Sequence, residues 1–168
     1  MKKKNNLIVS IILFLLLTSN SFANKIAFID LDMVIKKSNL GKEISKQLEN
    51  KKNLNSEEIV KKETLIKKLE NEIISKKNIL SENELKTEVT NLQNKIKEFN
   101  LYKEQINKNF NKLKKEEILN FFNKIDPLIQ SFLSDNSIDI LFNNKNIIIG
   151  KDSLDITDKI INIVNNNL

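Results

Sequence analysis

The sequence has no cysteine, no histidine and no arginine, and each absence removes a class of function. Without cysteine there is no disulfide, no thiol nucleophile, no thiolate metal site and no cysteine for lipid attachment. Without histidine the chain lacks the most common general base and metal ligand of proteins. Without arginine, none of the 28 basic residues carries the forked group that binds phosphates and base edges through paired hydrogen bonds. We therefore expect no cofactor, no metal site, no enzymatic activity and no nucleic-acid partner.

Glycine and proline are also scarce, with two glycines and one proline in 168 residues. A globule with many turns needs more of both, because these residues supply the backbone angles of tight turns. The stretch between Gly41 and Pro127 contains neither residue. This stretch predicts long, uninterrupted helices across the middle of the chain.

The N-terminus has the three parts of a secretory signal peptide. Lysines at positions 2–4 form a basic start, residues 7–17 form an apolar run, and Ser21-Phe22-Ala23 has small residues at its first and third positions. We predict cleavage after Ala23, which leaves an exported chain, residues 24–168, with 25 lysines, 22 acidic residues and a formal charge of +3. The alternative is an uncleaved membrane anchor, although the apolar run is shorter than the ~20 residues of a spanning helix.

Two stretches carry apolar residues at alternating steps of three and four, the spacing of a helical seam. From residue 59 to residue 80, five of the seven seam positions are apolar. From residue 85 to residue 117, eight of ten are apolar, which is typical of a coiled coil. Two facing seams predict a pair of long helices that pack against each other.

A helix-start signal separates the two seams. Ser81 and Glu84 fit a capping box, in which each side chain accepts a hydrogen bond from the backbone N–H of the other residue. Leu80 and Leu85 flank the box as a hydrophobic staple. The pattern predicts that one helix ends within residues 76–78 and that the next begins at Ser81, so the chain should form an antiparallel helical hairpin.

The ends of the exported chain predict a small β-rich body. Apolar residues from Ile26 onward indicate a first strand, and residues 137–142 and 147–149 indicate two more strands joined by a hairpin-type loop. Asp155 is placed to cap a last helix from Ile156 to about Asn165. Within the preceding helical segment, proline is expected to kink or loosen the helix.

The predicted fold class is therefore α+β, with a long coiled-coil arm protruding from a body that both chain ends form. The predicted parts are a signal peptide (1–23), a first body segment (24–39), the arm (40–118, reversing near 77–81) and a second body segment (119–168). Ile-rich strands with open edges favour association of several copies.

One motif raises an enzymatic alternative. Asp30-Leu31-Asp32-Met33-Val34 follows an apolar strand and matches the D-x-D-x-[TV] loop of haloacid-dehalogenase-type phosphatases. That class needs alternating strands and helices after the motif, a downstream lysine and a later acidic pair for Mg²⁺, whereas a heptad hairpin follows here. We instead interpret Asp32 as the N-cap of a turn over residues 33–37, and Asp30 as a polar strand terminus.

In this order, the segments resemble the Skp (OmpH-like) family of periplasmic chaperones over essentially the whole exported chain. The motifs that carry the resemblance are KIAFIDLDMVI, Ser38-x-x-Gly41-Lys42, Ile125-Asp126-Pro127, SIDILFNNKNIIIG and Asp155-Ile156-Thr157 with Ile160, Ile161 and Val164.

The resemblance implies a homotrimer whose three arms enclose a cavity. It also implies a periplasmic location and a holdase that binds unfolded outer-membrane β-barrel proteins without ATP before their insertion. The alternative is a structural coiled-coil adaptor of the cell envelope without chaperone activity, and an anionic membrane surface is a further possible partner.

Three groups of residues are predicted to matter for function. The trimer interface or body core is assigned to Ile26, Phe28, Ile140, Phe142, Ile147 and Ile149. The reversal and cap of the arm are assigned to Leu80, Ser81, Glu84 and Leu85. Contacts with a client protein or an anionic surface at the arm tip are assigned to Lys76 and Lys77, although Glu82 and Glu84 make that tip less basic than in the family.

Overall fold

A computed structural model describes residues 24–168, so the predicted signal peptide (1–23) lies outside the described residues. The elements follow one another as β1 (Ile26–Ile29), α1 (Leu31–Lys37), α2 (Asn39–Lys76), α3 (Glu82–Asp135), β2 (Ile140–Asn143) and α4 (Thr157–Asn167), with 3-10 turns at Asn144–Asn146 and Asp152–Leu154. Among these residues, no helix has both the length and the apolar composition that crossing a bilayer requires.

The two strands pair in parallel, and this pairing brings the two ends of the described chain together. Ile26 lies opposite Ile140 and Phe28 lies opposite Phe142. The backbone N–H of Lys25 donates to a carboxylate oxygen of Asp139 at 2.8 Å, which fixes the start of the ladder. Parallel strands require a long crossover connection, and here the crossover includes the whole helical hairpin.

The hydrophobic core lies in the body, between the sheet and the helices. Because side chains alternate between the faces of a strand, Ala27 and Ile29 of β1 point to the same side, where they join the core. The core residues from the helices and from the segment before α4 are all almost completely buried. They are Val34, Phe121, Ile125, Ile129, Ile156, Ile160, Ile161 and Val164.

The predicted third strand is wrong, because residues 147–149 form no strand. The side chain of Asn143 accepts a hydrogen bond from the backbone N–H of Lys145, which closes a 3-10 turn and directs the chain away from the sheet. On its other edge β1 makes an isolated bridge from Phe28 to Asp155. The described chain therefore has a two-stranded sheet instead of a hairpin of β-strands.

The caps of the two short helices also differ from the prediction. Asp30, not Asp32, caps α1, because its carboxylate accepts a hydrogen bond from the backbone N–H of Met33 at 2.9 Å. At the other end of the chain α4 begins at Thr157, since the Asp155 carboxylate accepts from both the backbone N–H and the hydroxyl of Thr157 and holds that residue at the turn. Sequence spacing alone could not decide which of the two carboxylates, Asp30 or Asp32, caps α1, because they are only two residues apart.

The arm is the hairpin of α2 and α3, as the seams predict. α2 has 38 residues, and 38 residues of helix extend about 57 Å at 1.5 Å per residue. α2 ends at Lys76, and Ser81 caps α3. α3 continues through Pro127 to Asp135, so proline does not end the helix. Seam side chains such as Ile66, Leu69 and Phe99 are half-buried in the hairpin.

The junction of α1 and α2 depends on a close backbone approach at Gly41. A Cβ atom there would lie 1.8 Å from the backbone oxygen of Ile35, which is far inside van der Waals contact. Ser38, which is fully buried, caps α2 beside it by accepting from the Gly41 N–H at 3.2 Å. Only glycine fits at this turn without moving α1 away from α2.

We expect Gly41→Ala to lower the free energy of unfolding by about 3 kcal/mol, because the added methyl group must displace a backbone carbonyl in a packed junction. Urea unfolding followed by circular dichroism measures this change. Ser56→Ala, at an exposed position of α2, is the matched control and should leave stability nearly unchanged. Equal stability of the two variants would contradict the close approach.

Candidate functional site

The body exposes an apolar strand face, which we call the outer sheet face and define as Ile26, Phe28, Ile140 and Phe142. These four residues lie on the side of the ladder opposite Ala27 and Ile29. Ile26, Ile140 and Phe142 are 45%, 44% and 43% exposed, whereas Phe28 is buried. Within one chain only Phe28 of these four is buried, and the assignment of all four residues to the trimer interface or the body core stays a prediction.

Phe28 is covered by the loop that follows β2. A Cβ atom at Gly150 would lie 2.8 Å from the Phe28 ring, so glycine lets this loop lie against the ring. The loop leaves Ile148 and Ile149 at 98% and 90% exposure, while Ile147 is half-buried. Two adjacent, fully exposed isoleucines beside an apolar strand face extend the outer sheet face toward solvent.

The sheet also has an open edge. β2 pairs with β1 on one side, and within residues 24–168 no other strand pairs with β2. Unpaired backbone N–H and C=O groups at an edge are a template for pairing with another chain. β2 (Ile140–Asn143) therefore forms the open edge and, through Ile140 and Phe142, also contributes to the outer sheet face.

The arm exposes apolar side chains along its whole length, away from the core of the body. Large apolar residues between a third and five-sixths exposed occur on both helices and at the tip. They are Leu54, Val60, Leu65, Ile74, Ile79, Val89, Ile96, Leu101 and Leu119. Val89 and Ile96 are seam positions, so toward the tip the seam itself is partly open to solvent.

A cleft of about 550 Å³ opens between the helices in the middle of the arm. Its apolar wall includes Leu65, Leu69 and Phe99, and lysines and glutamates stand at its rim. A surface that alternates apolar patches with charged side chains can contact an unfolded polypeptide at many points without a fixed geometry.

Tyr102 provides a polar link across the hairpin that the sequence reasoning missed. Its hydroxyl donates to a carboxylate oxygen of Glu58 at 2.5 Å, and the Lys62 ammonium lies 4.5 Å from the centre of its ring. The hydrogen bond to Glu58 raises the pKa of the Tyr102 hydroxyl. The signal available in the sequence was that the only tyrosine of the chain lies beside the seam of α3.

The arm reverses through the predicted capping box. The Ser81 backbone N–H donates to a Glu84 carboxylate oxygen at 2.9 Å, and the Glu84 N–H donates to the Ser81 hydroxyl. Hydrogen bonds from the Ser81 hydroxyl and then from its N–H lower the pKa of Glu84 below its ordinary value. The flanking Leu80 and Leu85 are both half-buried, as a staple requires. Lys76 and Lys77 are exposed at this end, and their proposed contacts stay a prediction.

Both aspartates of the phosphatase-like motif, Asp30 and Asp32, make structural contacts within the body. The Asp30 backbone N–H donates to the Thr157 hydroxyl, and its side chain caps α1. Asp32 forms an ion pair with Lys145, which raises the pKa of that lysine through their hydrogen bond and charge attraction. A two-stranded sheet does not provide the alternating strands and helices of that enzyme class. In residues 24–168 no three acidic side chains are grouped to hold a metal ion.

The sequence matches the model of a known protein family. A family model described as "Outer membrane protein (OmpH-like)" matches residues 25–164, nearly all of the described chain. The chain belongs to the OmpH-like family. No curated protein matched the sequence.

The OmpH-like fold is also found among solved structures. A crystal structure from Caulobacter crescentus CB15, described as that of "a putative outer membrane chaperone (OmpH-like)", superimposes with a TM-score of 0.80 at 14% sequence identity. The match covers 90% of this chain and 89% of that one. At this identity the likeness shows a shared fold, including the arm, and the expected α+β fold with a protruding helical hairpin is confirmed.

For the arm tip, we expect Ser81→Ala to weaken the start of α3 by about 1 kcal/mol, because the backbone N–H of Glu84 loses its acceptor. Hydrogen exchange of the amides of residues 82–84 should become faster. Ser75→Ala is the matched control, since that hydroxyl donates to the Glu72 carbonyl inside α2 and caps nothing.

The cap should also depend on pH in a defined direction. Folding lowers the pKa of Glu84. The contribution of its carboxylate to the stability of the start of α3 is therefore complete above the ordinary glutamate pKa and is lost as pH falls through the lowered pKa. Exchange at residues 82–84 that is insensitive to Ser81→Ala at neutral pH would contradict the cap.

Proposed function

We propose that this OmpH-like protein is an ATP-independent holdase of the periplasm that binds unfolded outer-membrane β-barrel proteins and prevents their aggregation. The observation that carries the proposal is the arm, a projection about 57 Å long that exposes apolar side chains outside the hydrophobic core. A purely structural coiled coil would gain stability by burying Val89 and Ile96, which are 37% and 40% exposed here.

The proposed mechanism relies on many weak contacts. An unfolded β-barrel chain exposes alternating apolar residues and unpaired strands, and such segments aggregate. Leu65 and its neighbours in the arm cleft give apolar contacts to single side chains, and the surrounding lysines and glutamates keep the complex soluble. Because each contact is weak and exchanges locally, the client can be released without nucleotide hydrolysis.

The exported location is supported by the family's name and by the signal-like sequence of residues 1–23.

We further propose that three copies assemble through the body. Ile26, Ile140 and Phe142 are too exposed to contribute to the core of one chain, yet they form a continuous apolar strand face. Ile148 and Ile149 extend that face, and the open edge of β2 can pair with a strand of another copy. Association that buries this face would also place several arms around a shared space.

Ile140→Asp tests this assembly. Because Ile140 is 44% exposed in the single chain, an aspartate there is tolerated by the subunit fold but leaves a charge in a buried interface. We expect sedimentation velocity to show a monomer and circular dichroism to show an unchanged helix content. Phe28→Asp should also prevent assembly, but because Phe28 is buried within one chain it should do so by disrupting the subunit and should lower the helical circular dichroism.

Ile74→Asp is the matched control, because Ile74 is 63% exposed on the arm and the same substitution there should leave the trimer intact. A trimeric Ile140→Asp variant would exclude the outer sheet face as the interface.

The holdase proposal is tested by light scattering. A urea-unfolded outer-membrane β-barrel protein is diluted rapidly into buffer that contains residues 24–168 and no ATP. We expect scattering to be suppressed at close to three chains per client, and to return with the Ile140→Asp monomer because a single arm encloses no cavity.

Unchanged scattering with the intact trimer would overturn the holdase proposal. It would then favour a structural adaptor of the envelope, for which a single folded partner should bind with saturation.

A further inference from the structure

We propose that the acidic segments of client proteins bind a basic band in the half of the arm nearer the body, and that the tip of the arm is not its anion-binding part. This inference rests on the proposed holdase function, because it names the class of client segment and its place on the arm. The place is the basic band, which we define as residues 45–52 of α2 and 108–115 of α3.

The net charge of the arm is most positive in the basic band and falls on both sides of it along the arm. Residues 40–44 and 116–118, between the band and the body, carry one lysine and three glutamates, a net charge of −2. The tip, residues 70–90, carries three lysines and five glutamates, a net charge of −2. The middle, residues 53–69 and 91–107, carries seven lysines and five glutamates, a net charge of +2. The basic band carries seven lysines and one glutamate, a net charge of +6 in 16 residues.

The two halves of the band lie at the same level of the hairpin. Lys51 and Asn55 of α2 line one small cleft with Asn109, Phe110 and Leu113 of α3. The seven lysines are therefore grouped around the arm at one height, and all are exposed. They are Lys46, Lys51, Lys52, Lys108, Lys112, Lys114 and Lys115.

Most of these charges are not neutralised within the chain. Of the seven lysines, only Lys112 has a carboxylate within 4.0 Å in residues 24–168, from Glu116 at 3.7 Å. Like charges this close repel one another, which destabilises the hairpin slightly. A ligand that brings negative charge relieves that repulsion and gains attraction from several ammonium groups at once.

An apolar cleft lies within the band. It has a volume of about 250 Å³ and includes Ile106, Phe110 and Leu113 in its wall. Asn55, which is 7% exposed, contributes an amide to the same cleft. A client segment with both acidic and apolar side chains can therefore place one apolar group in the cleft while its carboxylates meet Lys51, Lys52 or Lys108.

Position along the arm favours a flexible polypeptide over a membrane surface. Eighteen residues of α2 separate Lys52 from the start of the tip at residue 70, which is ~27 Å of helix and about three times the ~8 Å screening length at physiological salt. A flat anionic bilayer that approaches the tip would meet a net negative charge first. An unfolded chain can extend along the arm and reach the band.

The experiment compares two triple variants that each remove three positive charges. The band variant combines Lys52→Gln, Lys108→Gln and Lys115→Gln, none of which alters the wall of the cleft in the band. The tip variant combines Lys76→Gln, Lys77→Gln and Lys86→Gln. Circular dichroism melting and sedimentation first establish that both variants keep the fold and the assembly state of the parent, residues 24–168.

The probe is a fluorescently labelled, unstructured peptide of acidic and apolar residues, with a second peptide in which lysine replaces every acidic residue. Binding is followed by fluorescence anisotropy at low and high salt. We expect the parent to bind the acidic peptide with an affinity that falls as salt rises. The band variant should weaken this binding roughly tenfold, since each exposed charge contact contributes a fraction of a kcal/mol, and the tip variant should change it less than twofold.

An equal or larger loss in the tip variant would overturn the proposal, and so would binding of the acidic peptide that neither variant changes. Vesicles of anionic phospholipid provide the competing occupant. Loss of vesicle binding in the band variant with peptide binding retained would assign the band to a membrane surface and reject the polypeptide.

The outcome is separable from the holdase test. Peptide binding at the band with no suppression of scattering would support the basic band and reject the chaperone. Suppressed scattering, together with peptide binding that the band variant leaves unchanged, would support the chaperone and reject the basic band as the client site.

Discussion

The parallel pairing of β1 with β2 is the constraint on which the rest of the molecule depends. It joins residues 26 and 140, so everything between them must leave the body and return to it. Two adjacent parallel strands cannot be joined by a tight turn. The connection here consists of α1 and two long helices, and their antiparallel packing returns the chain at the correct place. The core then forms where α3 re-enters the body, with Phe121 and Ile125 against Ile29 and the residues of α4.

The division between body and arm follows from this constraint and separates two kinds of energetics. In the body, the core residues of β1, α3 and α4, such as Ile29, Phe121 and Val164, are nearly fully buried. The polar groups at Asp30, Thr157 and Asp155 hydrogen-bond one another. In the arm, a two-helix seam cannot bury a whole apolar face, and α2 and α3 have only each other to pack against. Exposure of Leu65 and Ile74 is therefore a geometric result of a hairpin that stands alone, and it supplies the contacts that the proposed function needs.

The parts of the structure that depend on local sequence were predictable. Heptad spacing and the capping box at Ser81 and Glu84 each involve residues within one or two helical turns, so the hairpin and its reversal point followed directly. The body depends on contacts more than 100 residues apart. The sequence pattern of Ile147–Ile149 favours a strand, but strand formation needs a partner, and Asn143 turns this segment away while Asp155 occupies the other edge of β1.

The candidate site was predictable in kind but not in detail. The sequence indicated that Ile26, Ile140 and Phe142 belong to the trimer interface or body core, but their shared face depends on the register of the two strands. The covering of Phe28 depends on where the Gly150 loop lies. Tyr102 meets Glu58 only once the register of the hairpin is fixed. Lys76 and Lys77 were predicted as contacts because arm tips in the family that the sequence resembles are often basic. The stronger concentration of positive charge combines two segments that are about 60 residues apart in sequence and meet only in the folded arm.

The hydrogen bond from Asp30 to Thr157 has a consequence for the order in which the molecule is made. Synthesis proceeds from the N-terminus, so β1 and the start of α1 exist long before β2 and α4, their partners. The hairpin needs only neighbouring segments and can form before the body closes. The body closes last, and until then the apolar residues of β1 remain unpaired. During its own biogenesis the protein therefore passes through a state with an exposed, unpaired strand, the same condition in which its proposed clients depend on it.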